Sequence, residues 1–155
     1  MRRTKKIGLL ILIALIGIQF IQPGRNGSEQ VLPTDISKTV PIPRSVQSLL
    51  QSACYDCHSN NTNYPWYTYV QPIGWMLSNH IQKGKKDLNF SEFGAYSDRQ
   101  QQSKLKSIAS QIEDDEMPLA SYTFLHKSAR LIKEQKALIV DWALNAKDSI
   151  EQNKP

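Results

Sequence analysis

The chain has 155 residues, 19 Lys+Arg against 14 Asp+Glu, and a formal net charge of +5. Residues 1–25 hold five basic side chains (Arg2, Arg3, Lys5, Lys6 and Arg25) and no acidic one, so 19 less five leaves 14 basic against 14 acidic over residues 26–155. A neutral body behind a basic start gives no nucleic-acid surface. A content of 40% hydrophobic residues excludes a disordered chain, and two cysteines exclude a disulfide-dense scaffold.

Ile7 to Ile21 is an apolar run with no charge and one polar residue, Gln19. Its length falls just short of the ~17–25 residues of a membrane span. It reads as a signal-peptide core or an uncleaved anchor. Gln22-Pro23-Gly24-Arg25 offers no small-residue cleavage site, which favours a signal anchor over residues 1–22. Arg2, Arg3, Lys5 and Lys6 then hold the N-terminus in the cytoplasm and send the remainder to the periplasmic side. Residues 23–42 carry Pro23, Gly24, Gly27, Pro33 and Pro41 and read as a Pro-rich linker, with a reach of roughly 25 Å.

A domain is expected over residues 43–147, followed by a tail over 148–155. Pro43 suits a first helical position, and Val46, Leu49, Leu50 and Ala53 follow at helical spacing. Residues 59–71 read as an aromatic loop. A second helix is expected from Pro72 to about Gly84, with Ile73, Met76, Leu77, His80 and Ile81 on one apolar face. A third begins at Ser97, whose partner Gln100 completes a capping-box pattern, and buries Leu105, Ile108, Ala109 and Ile112. The last, near 131–146, shows Leu131, Leu138, Ile139, Trp142 and Ala146 as a stripe. No run alternates with period two. The fold class is all-α, a small helical domain.

Cys54-Tyr55-Asp56-Cys57-His58 is CxxCH, the signature of c-type haem attachment. Two thiols three residues apart can each form a thioether to one haem vinyl group. The next residue, His58, is then held at the iron as proximal ligand. Three other readings compete. A redox CxxC wants a βαβ context. A structural zinc site wants four ligands and would need to recruit His80 or His126. A plain disulfide leaves the adjacent histidine without a purpose. Candidates for a distal ligand are Met117, in Glu116-Met117-Pro118-Leu119, with His80 as the fallback; Met76 fits core packing and His126 a structural role. Trp66 and Tyr67, in an aromatic stretch, are candidates for haem packing or propionate contacts through their polar tips. Glu113, Asp114, Asp115 and Glu116 put four negative charges beside Met117, as a solvated helix end or a docking edge for a redox partner. Lys83, Lys85 and Lys86 read as a solvated basic cluster.

The order of these features, over roughly residues 43–146, resembles class I c-type cytochromes. More narrowly it is similar to a bacterial haem-binding domain family. The likeness rests on CxxCH, Asn63-Tyr64-Pro65-Trp66-Tyr67, His80-Ile81, Leu88-Asn89-Phe90-Ser91, and Met117-Pro118 ahead of Tyr122 and His126. It implies one covalent haem c on Cys54 and Cys57, His58 ligation and axial Met117. A glycine commonly precedes the ligand methionine in class I cytochromes, whereas Glu116 stands here. The expected function is a membrane-anchored monohaem cytochrome that passes single electrons to exported or membrane-embedded partners. The alternative is a haem sensor with an exchangeable sixth ligand. No triad, carboxylate pair or phosphate-binding loop points to an enzyme, and the filled distal side disfavours a peroxidase.

Overall fold

The computed structural model describes residues 2–28 and 30–152, and every regular element among those residues is helical, with no strand. Helix α1 spans Arg2–Ile18, α2 Ile36–Thr39, α3 Arg44–Ala53, α4 Tyr55–His58, α5 Ile73–Asp87, α6 Asp98–Glu113, α7 Ala120–Leu125 and α8 Lys133–Gln152. Short 3₁₀ turns cover Trp66–Tyr69, Phe90–Ala95 and Lys127–Ala129.

Long-range packing centres on α6 and α8, with α3 laid against α8. Leu105, Ala109 and Ile112 of α6 meet Ile139, Trp142, Ala143 and Ala146 of α8, and Val46 and Leu50 of α3 close the core. These positions follow the 3.6-residue period, which places one stripe of each helix inward. Ser97 and Gln100 form the capping box expected for α6. Helix α8 runs on to Gln152, so most of the expected tail is its last turn and a half; residues 153–155 lie outside the described residues.

One expectation is corrected here. Residues 23–42 are not a free linker. Asp35 caps α2 by accepting from Ser37 N–H at 2.9 Å, and Ile36 and Val40 enter the core at 0% and 5% exposure. The Pro41 carbonyl accepts from the Trp142 indole at 3.0 Å. Asn26 is stitched to the Ser59 carbonyl, the Thr62 hydroxyl and the Tyr64 hydroxyl at 2.8–2.9 Å. The structure also describes most of residues 1–22. Helix α1 stops after 17 residues, about 25 Å at ~1.5 Å per residue. No helix among the described residues is long and apolar enough to cross a membrane. Past Ile18 the chain turns, and Gln19 and Gln22 exchange hydrogen bonds with Gln71 and the Tyr69 carbonyl, while the Trp75 indole donates to the Ile21 carbonyl at 2.8 Å.

Candidate functional site

Helix α3 ends at Cys54, where φ −126° and ψ −40° bend the chain, and α4 restarts as a single turn over Tyr55–His58. The Cys54 carbonyl accepts from both Cys57 N–H and His58 N–H, which puts the two thiols and the imidazole on one tight turn. No disulfide joins the cysteines. Burial, with the neighbouring thiol second, pushes Cys54 up to about 12, and burial then Asp56 pushes Cys57 to about 11. Thiols held protonated in this way are unlike the activated thiolate of a redox CxxC. Among the described residues, no three His, Cys, Asp or Glu side chains gather as a metal cluster.

His58 Nδ1 donates to the Leu88 carbonyl at 3.0 Å, since a carbonyl oxygen can only accept. That bond fixes the tautomer with Nε2 unprotonated, the form a metal takes. Burial lowers the His58 pKa, with the Leu88 hydrogen bond acting the other way. The Leu88-Asn89-Phe90-Ser91 segment is built to hold that carbonyl. The Asn89 side chain accepts from Ser91 N–H at 3.1 Å and donates to Asn60 at 2.9 Å. Ser91 in turn accepts from Asn60 N–H at 3.0 Å. Phe90, fully buried, stacks on Tyr55 at 5.1 Å and lies 6.1 Å from the His58 ring.

Cys54, Cys57, His58, His80 and Met117 all line one cavity of about 600 Å³, within the range of cofactor sites. Its α5 face presents His80, Lys83, Gly84 and Asp87 at i, i+3, i+4 and i+7. Its α6 face presents Lys104, Ile108 and Gln111. Met117 arrives from the C-terminal turn of α6. Glu116 N–H bonds the Gln111 carbonyl at 3.0 Å and Asp115 N–H the Ile112 carbonyl at 3.4 Å, a Schellman closure with Asp115 in the left-handed region at φ 59°. The conformation usually given to glycine therefore falls two residues before the methionine, and Glu116 keeps an ordinary backbone. Asp115 pairs with Lys136 of α8.

The residues present fit a haem: two unpaired thiols, a neutral imidazole with one nitrogen free, a thioether, apolar walls, and two lysines suited to carboxylates. Trp66 and Tyr67 do not line the cavity. Trp66 is 78% exposed, and the Tyr67 hydroxyl is committed to His126 Nε2 at 2.7 Å. His126 also stacks on Tyr122 at 4.0 Å. Met76, expected in the core, is 46% exposed, because α5 buries Gly74, Leu77 and Ile81 instead. His80 is half-buried rather than buried. Sequence reasoning missed Lys83 and Lys104 as cavity residues, although Lys83 shares the helical register of His80 and Gly84. It also missed Tyr122, which lines the cavity and donates its hydroxyl to Asp56 Oδ2 at 2.6 Å. Burial and that carboxylate push the Tyr122 phenol far up, so it stays protonated.

Gly84 marks where α5 crosses the CxxCH turn. A Cβ there would meet the Cys57 carbonyl oxygen at 2.7 Å. Helix propensity alone makes Gly84→Ala stabilising by about 0.8–1.0 kcal/mol. The contact reverses the sign, with an expected loss of about 1–3 kcal/mol. Urea melts and haem content of the purified variant check this, and a midpoint at or above wild type would remove the close approach from the account.

An all-helical body with CxxCH, a neutral histidine and a thioether around one apolar cavity defines a haem-binding protein. The haem-binding domain family matches residues 13–145, most of the chain, and the protein belongs to that family. The chain is also similar to the cytochrome c peroxidase Ccp of Escherichia coli (strain K12), 25% identical over 149 residues and covering 89% of this chain. The match takes in 32% of that relative, so the chain spans about a third of its length. No solved structure matches the chain.

Proposed function

We propose that the protein is a monohaem c-type cytochrome that carries single electrons on the periplasmic face of the cytoplasmic membrane. In this reading Cys54 and Cys57 hold the haem covalently, His58 Nε2 is the proximal ligand and Met117 Sδ the distal one. The observation that carries it is the meeting of both thiols, the tautomer-fixed His58 and Met117 on one cavity. The iron supplies a one-electron couple, and a soft thioether raises its potential relative to a second histidine. The chain's own work is to exclude water, fix the ligands and neutralise the propionates, a role for Lys83 and for Lys104, whose Nζ also donates to the Asp87 carbonyl. Glu113, Asp114 and Glu116 are exposed beside Met117 and form an acidic docking edge for redox partners. The apolar run from Ile7 to Ile21 attaches the domain to the membrane, its short length accommodated by local thinning of the bilayer and by Lys5 and Lys6 reaching the headgroups. The activity of the peroxidase relative is not carried over, since most of that protein has no counterpart here.

A sensor with an exchangeable sixth position is the second reading, favoured by one observation: no residue of α7, the helix after Met117, is buried. Spectra of the purified holoprotein separate the two. The carrier is expected to be six-coordinate and low-spin in both oxidation states. Its methionine–iron charge-transfer band is expected to vanish in Met117→Ala, with a drop in potential. A high-spin ferrous form in the wild type would favour the sensor, and a His80→Ala variant that alone loses the sixth ligand would transfer the role to His80.

A further inference from the structure

The loop carrying Met117 is held from two sides. Upstream, Met117 N–H bonds the Gln111 carbonyl at 3.0 Å, so α6 fixes it firmly. Downstream, only Pro118 and Leu119 separate Met117 from α7. Helix α7 has no buried residue, so apolar packing contributes little to its position. The ties made by α7 and His126 to the CxxCH side of the domain are polar and aromatic. The Tyr122 hydroxyl donates to Asp56 Oδ2 at 2.6 Å across 66 residues of sequence. His126, directly after α7, meets the Tyr67 hydroxyl at 2.7 Å and stacks on Tyr122 at 17° between planes. Asp56 itself is anchored, because its Oδ1 accepts from Asn63 N–H at 2.9 Å and its carbonyl from the Thr62 hydroxyl at 2.6 Å.

The geometry points to Tyr122 as a positioning residue that latches the Met117 loop to the CxxCH turn through Asp56, with His126 and Tyr67 as a second catch. Asp56 lies between the two cysteines, so the strand of chain carrying the proximal group also sets how tightly the distal group is presented. A hydrogen bond to a carboxylate is among the stronger ones; the other hold on α7 lies at its far end, where Ala129 is fully buried and Arg130 Nε donates to the Thr123 carbonyl. Opening the latch lets Met117 leave the cavity without disturbing His58, whose partner is the Leu88 carbonyl. This rests on the proposed ligation by Met117.

The test uses the full-length holoprotein, reading the methionine–iron charge-transfer band of the ferric form and the rate of CO association with the ferrous form. Tyr122→Phe is expected to weaken the band and raise the CO rate by about tenfold, the order set by one charge-assisted hydrogen bond. The covalent haem mass should stay unchanged. Asp56→Asn keeps an acceptor oxygen without its charge and is expected to fall between, at about threefold, whereas Asp56→Ala should match Tyr122→Phe. If Tyr122→Phe fails to fold or load, Tyr67→Phe cuts the second catch and is expected to give a smaller rise of about two- to threefold. Met117→Ala is measured alongside. If it leaves band and CO rate at wild-type values, the ligand reading fails. If it moves them while the Tyr122 and Tyr67 variants do not, the latch is overturned.

Discussion

Changing Cys54 and Cys57 together to serine is expected to abolish covalent haem, so that acid–organic extraction strips all of it from the polypeptide. The wild type should keep all of its haem with the protein under the same treatment, and each single variant should keep one link. Serine is close in size to cysteine but has no sulfur to form a thioether, so the change tests the bond and not the packing. The His58 hydrogen bond to Leu88 lies outside the substitution, so the double variant should still bind haem reversibly and show a histidine-ligated spectrum. Intact mass before and after extraction gives the measurement. Haem retained by the double variant as firmly as by the wild type would refute covalent attachment. A protein that never carried haem but lost a bound metal on the same change would refute the haem reading of the motif.

Ile36→Ala is expected to cost about 2–5 kcal/mol, a large share of the ~5–15 kcal/mol by which a domain is stable. Ile36 is 0% exposed, and Leu50, Phe90, Phe93 and Ile139 belong to the same core cluster. Removing its three outer carbons leaves a void that surrounding helices fill only in part. Val31, also within residues 23–42, is 70% exposed, and Val31→Ala should fall within about 0.5 kcal/mol of wild type. Urea titrations at constant slope check both. Were this segment a loose tether, neither substitution would move the midpoint.

Residues 31–42 were illegible in the sequence because their apolar side chains, Val31, Leu32, Ile36, Val40 and Ile42, are split by Pro33 and Pro41 into runs too short to declare a face. Such a segment is recruited by the shape of the body it lies on, and local pattern carries no trace of that. By contrast α3, α5, α6 and α8 announce themselves through repeating stripes, and the Ser97–Gln100 box marks a helix start within three residues. The CxxCH turn is equally local, since its thiols and imidazole are fixed by five consecutive residues. Met76 shows the limit of periodicity: α5 has one face toward the core and another toward the cavity, and the methionine falls on neither. Lys83 reads as a solvated charge and Lys104 draws no notice, because nothing in a linear pattern separates a lysine facing water from one lining a cavity. Asp56 and Tyr122 stand 66 residues apart and meet only once the chain has folded round the cavity.

The hydrogen bonds from Gln19, Gln22 and Asn26 to residues 59–71, with the Trp75 indole on Ile21, change how this domain would search for a partner. A domain on a leash of roughly 25 Å sweeps a hemisphere and presents every face in turn. Here the leash is wound in. With α1 seated in a bilayer as proposed, the haem cavity keeps one height above the lipid and one heading. Encounters then depend on sideways diffusion within the membrane plane, and a partner must carry its own redox group at a matching elevation. For the proposed carrier, lengthening the chain between Ile21 and Asn26 would leave the haem unchanged and still alter the traffic of electrons through it.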